Sequence, residues 1–472
     1  MRRRDRTTLA AEEVAVPRLS LTTSRALLDR FVPRGALVLS ILTFLGYGLG
    51  LVRERTLSRS FGAGEELDAY KAAFLIPELL FSVIVASGLA APFIPIFTSL
   101  KRDAGEAAAH TFAQSILTLA VLVMAGVSVV LFIAAPLTVD VAASGFDPAT
   151  RALYTDLFRV MCVTQVLFAG SMALGEVLVA ERRFFFYGAA PLLYNLGIVI
   201  GTLALVDSIG IFAPAVGAVL GASMHLGIRL AGISRTSFRP RPRFQLRTSA
   251  VGEFFRLLVP KFGSGPLDPL TFIVFTNLAS TIAVGGVTVI DQARNFQSLP
   301  VSLIGVTFAL AVFPTLAARY AASDRAGFRS LVVRHALTIG LLTATAAAGL
   351  IVLAPFGIDL LLGGGAFGPE DVARTAQVLA VFALSVPFES LGHLLSRAIY
   401  ATHHTLWQVV ASIIGFVVTI AAAALLAPGL GIIAIPLGFT LGSAVRCAAL
   451  IVVLSARIRR MPEGIPVSGT TG

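Results

Sequence analysis

Long apolar stretches follow one another from residue 35 to residue 456, separated by short polar or Gly/Pro-rich breaks. A stretch of about 20 apolar residues is what a helix needs to cross the hydrocarbon core, where every backbone polar group must be satisfied internally. The pattern predicts twelve spans, at approximately 35–61, 67–99, 108–138, 152–180, 185–206, 210–233, 251–284, 286–316, 329–356, 371–400, 406–427 and 431–456. Several are longer than a perpendicular crossing requires, so tilt or extension beyond the bilayer is expected. The fold class is therefore an all-α polytopic membrane protein.

Polar residues break this pattern in a few places. Arg53, Glu54, Arg55, Asp68, Lys71 and Glu78 lie within the first two spans. A charge at the bilayer centre costs roughly 2.5–3.5 kcal/mol by insertion scales, so such residues face a protein interior or a water-filled path. Transport of something charged is the leading expectation. Arg53, Lys71, Lys261 and Arg294 are candidates to hold an anionic headgroup, Arg53 being able to grip phosphate bidentately. Gln292 and Asn277, with Asn295 and Gln297, line the path or link helices. Local neutralisation stays equally open: Arg53 or Arg55 with Glu54 or Asp68, Lys71 with Glu78, Lys261 with Asp268, and Arg294 with Asp291. Asp68, Glu78 and Asp268 are also candidates to titrate or to bind a coupling cation, Na+ or H+.

Glycine and proline mark two further positions. The seventh span reads Val259-Pro260-Lys261-Phe262-Gly263-Ser264-Gly265-Pro266-Leu267-Asp268-Pro269. Its prolines each remove a backbone bond and clash with the preceding turn. Subtracting 219 lands on Gly46-Tyr47-Gly48-Leu49-Gly50 of the first span. Interrupted helices at matching positions of two halves point to a transport site. Gly46, Gly48, Gly50, Gly263, Gly265 and Pro266 are thus expected hinges. Gly217/Gly221 and Gly438/Gly442 read instead as close-packing positions. The Gly-x-Gly-x-Gly of the first span follows no strand and is a poor nucleotide loop.

The offset recurs. Pro95 matches Pro314 and Pro136 matches Pro355, both at 219, and Phe146 and Pro148 match Phe367 and Pro369 at 221. Six spans per repeat make the halves parallel. The expected organisation is a basic tail (1–34), a first six-helix lobe (35–233), an Arg-rich linker (234–250), a second lobe (251–456) and a C-terminal tail (457–472).

Composition sharpens the class. Only 13% of residues are charged, 56% are hydrophobic and the mean hydropathy is +0.86, whereas soluble domains carry about 25% charged residues. The net charge of +11 does not indicate nucleic acid, because 27 of the 37 basic residues fall in the N-terminal tail and alternate connections. That is the positive-inside pattern, with both termini cytosolic. Cys162 and Cys447 sit far apart within spans, and the six histidines form no ligand spacing, so neither metal nor cofactor is expected. The first 34 residues lack the apolar core of a signal peptide and are expected to be a cytosolic tail, part of it able to lie on anionic headgroups.

At Gly50-Leu-Val-Arg-Glu-Arg-Thr-Leu-Ser-Arg-Ser-Phe-Gly-Ala-Gly64, Asp68-Ala-Tyr, Phe74-Leu-Ile-Pro77, Phe93-Ile-Pro95, Gln292-Ala-Arg-Asn-Phe-Gln-Ser-Leu-Pro300 and Ala311-Val-Phe-Pro-Thr-Leu316, the chain resembles the MurJ (MviN) family. That family belongs to the multidrug/oligosaccharidyl-lipid/polysaccharide exporter superfamily. The resemblance implies a flippase carrying lipid II, the undecaprenyl-pyrophosphate-linked peptidoglycan precursor, from the inner to the outer leaflet by alternating access. It also implies two parallel six-helix lobes forming a V around a cationic cavity, with Arg53 and Asp68 at cavity positions. Four family arginines are replaced: one by Tyr47, two following the second-span proline by Phe81 and Ser82, and one of the seventh span by Asn277. The family commonly adds two C-terminal helices, and twelve are expected here.

The function expected is thus a lipid-linked oligosaccharide flippase in a bacterial inner membrane, not an enzyme. It would act as a monomer, with membrane lipids and cell-wall synthesis enzymes as partners, no nucleic acid, and a coupling ion or the membrane potential as drive. Rivals are a flippase for another undecaprenyl-linked polysaccharide unit, a cation-coupled multidrug antiporter, and a non-transporting scaffold.

Overall fold

The computed structural model describes residues 34–86, 90–258 and 267–461. The first half comprises α1 (Arg34–Phe61), α2 (Glu65–Phe81, continuing as a π segment over Ser82–Ala86), α3 (Ala90–Asp103), α4 (Glu106–Ala142), α5 (Pro148–Ala180), α6 (Phe184–Ile209) and α7 (Phe212–Ile233). After α8 (Ser249–Leu258) the second half comprises α9 (Leu267–Ile282), α10 (Gly286–Pro300, with a π segment over Val301–Val306), α11 (Thr307–Ala321), α12 (Arg325–Leu362), α13 (Pro369–Ala383), α14 (Val386–Ala401), α15 (Thr405–Leu430) and α16 (Ala434–Arg459).

Among the described residues, eight helical stretches are long and apolar enough to cross a membrane, or nine if α13 and α14, bent by 41°, form one span. One of the eight, Thr405–Arg459, is a hairpin: Gly438 and Gly442 of α16 lie against backbone atoms of Thr419, Ala423 and Gly415 of α15. Gly217 and Gly221 of α7 lie in the same way against Gly197, Ile198 and Tyr194 of α6, so all four glycines are close-packing positions. Large apolar side chains face outward, with Phe44, Val352 and Leu425 77–80% exposed, as expected of surfaces solvated by lipid rather than water.

The sequence repeat reappears in the backbone. The π segments begin at Ser82 and Val301, 219 residues apart. Arg182 and His403, with φ of 56° and 61°, are 221 apart, as are Gly210 and Gly431, with φ of 54° and 55°. Such left-handed conformations are uncommon outside glycine, so their recurrence at one offset reports shared turn geometry.

Two expectations change here. The helix α1 runs unbroken through Gly46–Gly50, and no neighbour lies within 4 Å of a Cβ built at Gly46 or Gly48. The first-half interruption is absent, because glycines without a proline among them leave the i→i−4 ladder intact. Gly263, Gly265, Pro266 and Lys261 lie outside the described residues. Helix α8, assigned by the repeat to the second half, packs Val251, Phe254 and Leu258 into the first half's core with Phe112 and Ile116. The linker before it is tied to the same half: Gln114 donates to the Arg239 carbonyl at 2.7 Å, and the Arg243 amide donates to Thr118 Oγ1 at 2.9 Å.

Candidate substrate cavity between the halves

A cavity of about 440 Å³ opens between the halves, walled by α1, α2, α5, α6 and α10. Its apolar wall includes Phe74, Phe81, Phe168 and Met172; its charged groups are Arg53, Glu54, Lys71, Glu78 and Asp291. Arg53, one turn along α1 from Gly50, donates from Nε to Glu54 Oε1 at 3.1 Å, from Nη2 to the same oxygen, and from Nη1 to Asn195 Oδ1 at 3.0 Å. Glu54 is the hub. Its Oε2 accepts from Lys71 Nζ at 3.0 Å and from Gln292 Nε2 at 2.9 Å, and Gln292 also donates to Ser58 Oγ at 3.0 Å. Lys71 in turn pairs with Asp291. Four helices, α1, α2 and α6 from the first half and α10 from the second, are thereby joined by one polar network.

Asp68 extends the junction. Its carboxylate accepts from the Thr288 amide and the Thr288 hydroxyl, each at 2.7 Å, and from the Val287 amide at 3.4 Å. Helix α10 begins after Gly285, which has no capping side chain of its own. Asp68 therefore caps α10 from the other half, satisfying donors that every helix N-terminus leaves free. The same end is sealed by backbone. Asn277 donates to the Asp140 and Val141 carbonyls, both at 3.0 Å, and accepts from Ser144 at 3.1 Å. The Ala366 amide donates to the Arg59 carbonyl at 2.8 Å. Closeness here requires glycine: a Cβ on Gly145 would fall 2.3 Å from the Ser280 carbonyl oxygen, and one on Gly285 (φ 77°) 2.2 Å from that of Ala63.

The placement of the sequence candidates is uneven. Arg53, Lys71 and Glu78 line the cavity, and Gln292 is buried in its network. Asn277 and Asp68 belong to the seal instead. Asp268 is exposed in the first turn of α9, away from the cavity. Arg294 turns into the second half, where its guanidinium grips both oxygens of Glu389 at 3.1 and 3.0 Å, contacts Gln297, and lies over the Phe439 ring at 4.6 Å. Its expected pairing with Asp291 does not form. Nor does Lys71 pair with Glu78, which is seven residues along the same helix. The expectation of a cationic cavity fails for the described lining, where two cations face three carboxylates.

Sequence reasoning passed over Glu389 and Asn195, and read Asp291 only as a local partner of Arg294. Glu389 carried a readable signal, a carboxylate deep inside the apolar stretch 371–400, whose other carboxylate, Asp371, stands at its first position. Among the described residues no group of three or more His, Cys, Asp or Glu side chains is placed to hold a metal.

The profile of the family described as "Lipid II flippase MurJ" matches residues 57–466. The chain belongs to that family. A MurJ relative from Thermotoga maritima, named a probable lipid II flippase, is 28% identical over 368 residues, covering 78% of this chain and 73% of its own. The lipid II flippase MurJ of Burkholderia cenocepacia is 26% identical over 376 residues, with coverage of 78% and 73%. Among solved structures, a lipid II flippase MurJ in an inward closed conformation superposes with a TM-score of 0.75 at 22% identity over 90% of each chain. An inward-facing multidrug transporter of the MATE family, within the same MOP superfamily, gives 0.72 at 14% identity, covering 87% of this chain and 94% of its own. These likenesses establish the MurJ fold, a multi-pass helical membrane architecture.

Proposed function

We propose that this chain is a flippase that carries lipid II from the inner to the outer leaflet of a bacterial inner membrane, without enzymatic chemistry, by alternating access of its two halves. Family membership supports the cargo. The observation that carries the mechanism is the polar network of Glu54, Lys71, Asp291 and Gln292 together with the cap of Asp68 on α10. It joins the halves at one end of a polar cavity through contacts that separation of the halves would break together. With the termini cytosolic, the sealed end is the outer one and the cavity receives cargo from inside. Arg53 keeps two of its five N–H donors free for a phosphate, while the prenyl tail stays in lipid between the helices.

An inside-negative potential favours outward passage of negative charge by ~2.3 kcal/mol per charge per 100 mV, so the potential serves as drive without a bound ion. The antiporter reading is weakened because Asp68, its strongest coupling candidate, is engaged in capping. The scaffold reading offers no reason for charges at membrane depth.

Expression in a bacterium depleted of its own lipid II flippase tests the proposal. The parent chain restores outer-leaflet lipid II, and Arg53→Ala inserts but does not. Rescue by Arg53→Ala removes Arg53 from the path; failure of the inserted parent removes lipid II as cargo.

A further inference from the structure

Four of the five charges lining the cavity are used by one another, and one is not. Arg53 and Lys71 share Glu54, and Lys71 also holds Asp291. Glu78 is exposed to the cavity, and no described residue forms an ion pair or hydrogen bond with its carboxylate. It lies seven residues from Lys71 on α2, two helical turns or about 10 Å along the axis. The charge of Arg53 acts on it across the cavity, but the Arg53 bonds go to Glu54 and Asn195, so a partner that arrives with the cargo would supply the contact Glu78 lacks.

The surroundings define that partner. Phe74 and Phe81, four residues before and three residues after Glu78, occupy the same face of α2 and line the same cavity. Phe168 lies across from them, its ring centroid 5.9 Å from that of Phe81 and 4.9 Å from that of Tyr194. An unpaired carboxylate among aromatic rings suits an organic ammonium, which gains a charge partner and cation–π contact together. A divalent ion fits less well. Mg2+ is held by one or two carboxylates plus the cargo's own phosphate oxygens, with several waters retained. It would sit with the phosphate at Arg53, not among the phenylalanines.

We infer that Glu78 selects cargo: the headgroup this cavity accepts carries an ammonium group that reaches Glu78 while Arg53 receives the phosphate. The inference rests on the flippase reading and adds a specificity residue to it. The cavity is then bipolar, with a phosphate end at Arg53 and an ammonium end at Glu78.

The test uses the purified full chain in nanodiscs and two short-chain lipid II analogues, one with a free lysine-type side-chain amine and one acetylated at that amine. The parent binds the free amine about tenfold more tightly, equivalent to ~1.4 kcal/mol. In Glu78→Gln that preference falls below about twofold while affinity for the acetylated analogue is unchanged, and Glu78→Asp retains part of the preference. Equal binding of both analogues by the parent overturns the inference alone, as does an equal weakening of both in Glu78→Gln. A preference abolished by a chelator assigns Glu78 to a metal and also overturns it. If neither analogue binds to folded parent protein, the flippase reading falls with it.

Discussion

Two clusters of opposite charge lie inside this protein, and they differ in what they hold together. Arg53, Glu54, Lys71 and Asp291 bridge the halves and open onto a cavity. Arg294 and Glu389 lie wholly within the second half, with side chains 11% and 14% exposed, Gln297 and Ser385 beside them and an aromatic ring over the guanidinium. Both satisfy charges at membrane depth. Only the first links parts that separate in the proposed transport cycle, so in that cycle the same chemistry serves conformational change in one place and cohesion in the other.

The sharpest way to break this comparison is to remove one partner of the sealed pair. Glu389→Leu leaves Arg294 buried and alone, and loss of about 3–5 kcal/mol is expected, read as a large fall in thermal unfolding temperature of the purified protein. The double change Arg294→Met with Glu389→Leu recovers most of that loss, since an apolar pair of similar volume is often as stable. Unchanged stability in Glu389→Leu would move this pair out of the structural role.

A smaller effect is expected at the seal. Asp68→Asn weakens the cap on α10 by about 0.5–2 kcal/mol and shifts the population toward separated halves. With Ser280→Cys as reporter, labelling by a membrane-impermeant thiol reagent applied from outside rises several-fold over the Asp68 parent. The native Cys162 and Cys447 are buried and give little background. Labelling that does not change would show that the cap does not hold the closed state.

The smallest effect is at Asp147, in the turn before α5, whose carboxylate accepts from the Thr150 and Ala149 amides at 3.1 Å. The Thr150 side chain first, and then these amide bonds, hold its carboxyl below the usual carboxylate range. Its contribution is therefore present above the ordinary carboxylate pKa and is lost as pH falls through the lowered one. Asp147→Ala should cost a little stability at neutral pH, nothing at strongly acid pH, and no transport.

Helices and repeat were legible in the sequence because lipid imposes length and apolarity on each span, and because two halves under one constraint keep their prolines in register. The partners of the charges were less legible. Asp291 and Arg294 are three residues apart on one helix, a spacing that suggests a local pair. In the fold each reaches a more deeply buried partner on another helix, Lys71 for the first and Glu389 for the second. The cap of Asp68 on α10 likewise joins positions 220 residues apart, and no local pattern encodes such a contact.

The paired π segments carry a last consequence. A π turn advances the chain through a smaller angle per residue than an α turn, so the azimuth of everything beyond Ser82 or Val301 is offset from the stripe before it. On α10 Val289, Ala293 and Phe296 pack into one core cluster of the second half, while beyond the π segment Ala309, Val312 and Leu316 of α11 pack into another. One continuous helical wheel drawn through residues 286–321 would put these two sets on the wrong bearings. The wide turn works as a swivel, letting a single apolar span meet one core along its first portion and another along the next.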